Sequence, residues 1–561
     1  MSSATPTPAP PPTARPTRRL PLADALRPGR ASDIWFKPAL SVVASVAPPS
    51  LLLVALGRLD LALYTMAGSL CALYAHDRPY AARARVLAGV VLGMLGGLAT
   101  ALVTASLTGN AVVLVTVGAV LAAAQKALCD ATRVGPPGNV VLTFVSSAAL
   151  FVPQTLGQVP GHLGLAAAAG VWAWLVGMAP ALIRPHGPER RATAHALDTA
   201  AAYAATGDGH TGARAAAHAA VQSARQSLLS TGNRSSGIRR ALERLVVRAE
   251  VALAAPADAD PARLRAWARA LRGTGAVPRT DDPRADVAEL LGVAAERAAG
   301  QRTLRTRLAP LTPLAVRTAL GCALAGYASL ALGIGRPYWA LVTAAALYQA
   351  NLSLTWGRTV QRVVGNLAGV LLFAAVAPVA HLGPLALVLC CLAFSFGAEA
   401  LISRNYWLGS VCVTPLALLV TEFAGPQRTG DLITERAVDT LVGAVVGFLA
   451  AMAVTDRRAG ARVVRSLTAV ERAREGAARV LADPQAAPAA LAAARRDLAT
   501  ALVDLRATAD AAAGEWWQRA LPQERVVLAE RSGHRTLAAT VRRQGLLPAP
   551  GTDTDTEDVR S

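Results

Sequence analysis

The sequence predicts an all-α, polytopic membrane protein: about 12 transmembrane helices in two halves that run in the same direction, each followed by a cytoplasmic helical region. Three observations carry this. The 561 residues are 53% hydrophobic with a mean hydropathy of +0.38, too apolar for an ordinary soluble chain of this size. The apolar runs come in two blocks, and most approach the roughly 20 residues a helix needs to cross a bilayer. Arginines and lysines fall between alternate runs, as the positive-inside rule requires of cytoplasmic loops.

Residues 1–38 are rich in proline, alanine and threonine and carry Arg15, Arg18, Arg19, Arg27 and Arg30. No signal-peptide apolar core follows these charges, so the segment reads as a disordered cytoplasmic tail. The first block, 39–183, holds apolar runs at 39–57, 60–75, 84–107, 110–128, 138–153 and 162–183. The second and fifth are short, which fits helices tilted or buried within the bundle. With the tail inside, the inner loops carry Arg78, Arg83 and Arg85, then Lys126 and Arg133, then Arg184, Arg190 and Arg191. The outer loops around Thr108–Asn110 and Gln154–His162 carry no lysine or arginine.

Residues 184–310 change to an alanine-, arginine- and glutamate-rich composition with helical periodicity. Breaks fall near Gly207, Gly232, Pro256 and Thr280. This predicts an antiparallel cytoplasmic domain of four or five helices. The second block, 311–455, holds runs at 313–334, 337–354, 360–380, 383–402, 405–422 and 433–455. Arg358, Arg362 and Arg404 fall inside. The last outer loop, Glu422 to Arg436, is the exception because its charge is mixed. Residues 456–545 are again cytoplasmic helix, and 546–561 read as a disordered tail.

The halves align on each other. Tyr80–Gly93, YAARARVLAGVVLG, matches Trp356–Gly369, WGRTVQRVVGNLAG, without gaps, so Gly89 meets Gly365 and Gly93 meets Gly369. Gly443 and Gly447 repeat the spacing in the last run. Glycines four apart share a helix face and let a neighbouring helix approach closely, so these six are read as packing positions. Two halves with both starts inside form a parallel repeat, and the substrate path of such transporters lies where the halves meet.

The stretch Arg336–Leu372 reads as an apolar helix, a short basic turn and a second apolar helix. It holds the entry Tyr338-Trp339-Ala340-Leu341-Val342-Thr343, then Arg358 and Arg362, then Gly365 and Gly369. This pattern and the two-block layout resemble the fusaric acid resistance family, also called aromatic acid exporters. The resemblance is strongest from Leu311 to Asp456. It implies efflux of small aromatic organic acids from the cytoplasm, and a membrane potential negative inside would favour anion exit without ATP.

Several residues are candidates for the substrate path or its coupling, and each has a plainer reading. Glu399 is a carboxylate within an apolar run and fits a proton-coupling acid, or a partner for Arg404. Arg436 and Asp439, three apart, fit a local ion pair at the outer interface. Gln349, Asn351 and Asn366 fit interhelical hydrogen bonds. Tyr338 and Trp339 fit a surface for an aromatic ligand, or an interfacial belt. Arg358 and Arg362 fit anion capture, or the positive-inside rule alone. Trp516 and Trp517 fit helix packing in the last region.

Other chemistry is excluded. The formal net charge of +20 is accounted for by cytoplasmic loops beside anionic lipid, and no nucleic-acid-binding signature accompanies it. The cysteines form no CxxC pair and lie in or beside apolar runs. Neither lysine, Lys37 nor Lys126, sits in a phosphate-binding loop. The sequence shows no HExxH, no metal-site spacing of its eight histidines and no cofactor motif, so no enzyme is expected. The expected partners are membrane lipid and a small organic anion. A homo-oligomer and a periplasmic adaptor are both compatible with the sequence, and so is a non-transporting envelope scaffold. A continuous polar path between the halves would distinguish a transporter from that scaffold.

Overall fold

A computed structural model describes residues 22–29, 34–206, 211–230, 237–273, 275–278, 308, 311–349, 351–425, 427–454, 459–513 and 522–544. Among these residues all regular structure is helical. Trp516, Trp517 and the C-terminal tail lie outside them.

The first block comprises α2 (Phe36–Ala55), α3 (Ala62–Ser69, extended by 3₁₀ turns at both ends), α4 (Tyr80–Leu107), α5 (Ala111–Thr132), α6 (Val140–Leu150) and α7 (Val159–Met178). A short segment before them, α1 (Leu22–Leu26), belongs to the stretch expected to be disordered. The one-turn α8 (Pro180–Ile183) ends the block. The second block comprises α13 (Thr312–Ala331), α14 (Tyr338–Leu347), α15 (Leu352–Ala380), α16 (Pro384–Ile402), α17 (Tyr406–Thr421) and α18 (Thr429–Ala453). Among the described residues, eight helices are long and apolar enough to span a membrane, and four apolar helices are shorter. The short ones, at α3, α6, α14 and α17, occupy the second and fifth positions of each block.

The packing partners also correspond. Helix α3 packs on α7 as α14 packs on α18, and α4 packs on α6 as α15 packs on α17. Between blocks, α2 packs on α16 and α5 on α13: in each case the first helix of one block meets the fourth of the other. All ten residues of α14 are buried. It is a short apolar rod inside the bundle, where lipid does not reach it.

The glycine pairs behave differently in the two blocks. A Cβ at Gly365 would stand 2.5 Å from the Ser410 Cβ and 2.6 Å from the Trp407 carbonyl oxygen. One at Gly369 would stand 2.6 Å from the Thr414 Cβ. These glycines therefore set the α15–α17 approach. Gly443 meets the Ala340 carbonyl oxygen at 2.5 Å on α14, with Gly447 one turn on. By contrast, nothing lies within 4 Å at Gly89, and Gly93 has only an ordinary contact of 3.7 Å to Leu142. The packing role expected of Gly89 is therefore corrected. In the first block the close approach belongs to Gly68, whose Cβ would run into the α7 backbone at Ala166 and Gly170.

Two further sets of helices are present among the described residues. One is α9 (Gly187–Thr206), α10 (Thr211–Ser230), α11 (Gly237–Ala254) and α12 (Pro261–Arg272). The other is α19 (Ala459–Ala482), α20 (Pro488–Ala513) and α21 (Gln523–Arg543). They pack against each other. Val247 and Val251 of α11 enter the core of the second set, and Glu250 pairs with Arg225 at 3.1 Å and Arg495 at 3.8 Å.

Candidate functional site

A cavity of about 1520 Å³ lies between the two blocks, well above the size of an ordinary small-molecule pocket. It extends to the face that carries the helical sets, since Arg133, Arg404 and Arg462 of α19 line it. Toward the other face its wall turns apolar, with Leu63, Met66, Leu416 and Val420.

The two walls differ in charge. On the first block, Lys126 pairs with Asp130 at 3.0 Å, and Arg133 and Asp77 balance in sign. His76, at the mouth, adds no charge: burial and the nearby Arg83 guanidinium hold its imidazole down at about 3. The second block contributes Arg317, Arg358, Arg362, Arg404 and Arg436, joined by Arg462 of α19, against the single carboxylate of Glu399.

Arg358 and Arg362 were expected in a turn between helices. The break actually falls at Tyr348–Asn351. There the Asn351 Oδ1 accepts from the Leu354 N–H at 2.9 Å and starts α15 eight residues earlier than the charge pattern implied. Both arginines are thus helical and project into the cavity. They converge on Tyr406, at the start of α17. The Arg358 guanidinium lies 3.9 Å from the centre of that ring, and Arg362 Nη1 donates to its hydroxyl at 3.0 Å. Arg362 is only 3% exposed, and its Nε has no hydrogen-bond partner.

Arg436 and Asp439 are corrected in the same sense. Helix α18 begins at Thr429, so Arg436 stands about 10 Å along its axis at roughly 1.5 Å per residue, about two turns in and not at the helix start. The expected contact between the two is not made among the described residues. Asp439 Oδ1 accepts from the Ser329 hydroxyl of α13 at 2.6 Å. Arg436 lies over the Trp339 ring, 4.1 Å from its centre. Its Nε and Nη1 have no hydrogen-bond partner, and its side chain lines the cavity.

Trp339 and Tyr338 therefore do not offer a ligand surface. Trp339 is covered by Arg436 and stacks on Tyr338 at 5.0 Å between ring centres, and neither lines the cavity. The rings that do include Phe144 of α6, Tyr348 and Tyr406. Sequence reasoning missed Tyr406. Its one signal is that Tyr406-Trp407 opens a short apolar helix just as Tyr338-Trp339 does.

Glu399 lines the cavity and makes no hydrogen bond or ion pair among the described residues, so the alternative pairing with Arg404 does not form. Gln349 also lines the cavity. Asn366 does not. Its amide donates to Thr440 at 3.0 Å and accepts from Thr414 at 2.9 Å, tying α15 to α17 and α18. Among the described residues no group of three or more metal-binding side chains occurs.

Comparison with known proteins places part of this architecture. No curated protein and no solved structure matches the chain. Residues 323–450, which run from α13 to α18 and include the Arg362, Arg436 and Tyr406 cluster, match the family model described as fusaric acid resistance protein-like, so most of the second block is similar to a fusaric acid resistance protein-like domain.

Proposed function

We propose that the protein is an exporter of small aromatic carboxylates in the plasma membrane, with both termini in the cytoplasm. The observation that carries this reading is Arg436, a buried guanidinium with unpaired N–H groups on the wall of a large cavity between two helical blocks. An uncompensated buried charge is strongly unfavourable, and a carboxylate is the ligand that relieves it best, because the planar guanidinium matches it in shape and charge. Arg362 stands ready in the same way. Phe144 and Tyr406 offer rings to the apolar body of the anion.

The four short helices are read as buried or tilted crossings, which gives 12 spans in two parallel halves. The cationic end of the cavity then faces the cytoplasm, in accord with the positive-inside rule. A potential negative inside favours anion exit by about 2.3 kcal/mol per charge per 100 mV, so export needs no ATP. Glu399, alone among the arginines, is assigned the proton-coupling role. A cavity of this size does not suit the scaffold reading, which called for a dry, packed bundle.

The test is efflux of a labelled panel of aromatic and aliphatic carboxylates from cells with and without the protein. It is repeated with Arg436→Gln, with Glu399→Gln and with the potential collapsed. Export of an aromatic acid that falls with Arg436→Gln supports the reading. No export across the panel, with the protein present in the membrane, overturns it.

A further inference from the structure

Residues 22–29 lie on the second block, where α1 packs on α15; none of them lines the cavity, but three residues that hold them do. Their main chain accepts four hydrogen bonds from three side chains. Gln361 Nε2 donates to the Ala25 carbonyl at 2.8 Å. Asn405 Nδ2 donates to the carbonyls of Ala25 at 3.1 Å and Arg27 at 2.9 Å. Trp407 Nε1 donates to that of Leu26 at 3.0 Å. The Gly29 N–H in turn donates to the Arg404 carbonyl at 2.7 Å. A Cβ at Gly29 would stand 3.1 Å from that oxygen, so the chain lies close against the α16–α17 turn. Gln361, Arg404 and Asn405 all line the cavity, as do Ile34 and Trp35 just before α2. The Trp35 ring packs edge-on to Phe396 of α16, 6.4 Å between centres.

The way this stretch is held is unusual for a structural brace. Leu22, Ala23, Arg27 and Pro28 are exposed, Ala25 and Leu26 are half-buried, and no described side chain of the segment is fully buried. Five hydrogen bonds in register make the contact specific. The absence of a buried apolar anchor places it among the elements of a fold that open first. It also sits on the arginine-bearing wall: Gln361 lies one residue before Arg362, and Asn405 one before Tyr406.

We propose that residues 22–29 form an autoinhibitory strap. In the observed state the strap clasps Gln361, Arg404 and Asn405 of the cavity wall beside the Arg358–Tyr406–Arg362 cluster, and it must disengage for a ligand to pass. The identity of that ligand as an anion rests on the transport reading above; the occlusion itself does not.

The test uses the full-length protein in inside-out membrane vesicles, with native Cys129 as the probe, since it lines the cavity from the opposite wall. A water-soluble, membrane-impermeant thiol reagent is added, and its incorporation at Cys129 is followed by mass spectrometry. Wild type is compared with Gln361→Met/Asn405→Ser. This variant removes three of the strap bonds without adding charge, and serine still caps α17. A second variant replaces residues 22–29 with a glycine–serine segment of equal length, so a folding failure in one leaves the other as the test. The expected result is labelling at least fivefold faster in both variants, with an unchanged thermal midpoint and faster export. Equal or slower labelling in the folded variants overturns the strap. Faster labelling with no anion exported by any version keeps the strap and removes the transport reading. Export with unchanged labelling does the reverse.

Discussion

The guanidinium carbon of Arg436 lies 4.1 Å from the centre of the Trp339 ring. A desolvated stack of this kind is worth roughly 2 kcal/mol or more, so it offsets part of the penalty of burying the charge. It does so through the flat face and leaves the N–H edge unused. Asp439, three residues on, supplies compensating charge at longer range. Its Oδ1 is turned to Ser329, so it does not occupy that edge. Trp339 and Ser329 together keep Arg436 both buried and available.

Replacing Arg436 separates these contributions. Arg436→Gln removes charge and fork, and the transport rate at low anion concentration should fall at least tenfold, about 1.4 kcal/mol or more. Arg436→Lys keeps the charge but is a point donor without the planar fork, so its rate should lie between the two. A glutamine variant as active as wild type would show that the anion passes elsewhere.

Tyr406 holds two arginines in one geometry. Tyr406→Phe keeps the ring under Arg358 and removes the hydroxyl that accepts from Arg362. The half-saturating anion concentration should rise about tenfold, the scale of a charge-assisted hydrogen bond, with little change in maximal rate. Loss of maximal rate at unchanged half-saturation would instead place Tyr406 in a later step.

Gly365 and Gly89 carry the same sequence signal and should respond differently. Gly365→Ala puts a methyl 2.5 Å from the Ser410 Cβ and 2.6 Å from a backbone oxygen. The helices must part, which costs about 1–3 kcal/mol and shifts the neighbouring Arg362. Gly89→Ala meets open space and gains helix propensity of up to about 1 kcal/mol. Thermal midpoints of the purified variants should fall for the first and hold or rise for the second.

That pair shows what was legible in the sequence. Hydropathy revealed the all-helical membrane character and the shortness of the second and fifth runs, because lipid and a buried bundle both demand apolar side chains. The G-x-x-x-G spacing located a helix face without saying whether another helix covers it. Arg358, Arg362 and Arg436 were read as loop and interface residues because a cation usually ends a span. A cation facing an internal cavity leaves the same mark, and only the packing of α14, α15 and α18 distinguishes the two. The contact of residues 22–29 had no sequence signal, since it is made by their main chain.

His218 gives the two helical sets α9–α12 and α19–α21 a dependence on pH. It lies on α10, with its ring 5.1 Å from that of His534 on α21, so it sits where the two helical sets meet. Burial, reinforced by the Arg214 guanidinium and opposed by Glu250, lowers its pKa from 6.5 to about 4. The folded form thus holds a neutral imidazole, while the unfolded chain takes up a proton below 6.5. Unfolding is favoured as protons bind the unfolded state, so the stability contribution is fully present above pH 6.5 and is lost as pH falls toward 4, on the order of 3 kcal/mol in all. The thermal midpoint of these helical sets in the full-length protein should therefore drop across this window. In His218→Gln, which cannot take up the proton, the slope should be markedly flatter, whatever the variant does to stability at neutral pH. An unchanged slope would place the acid sensitivity elsewhere than at His218.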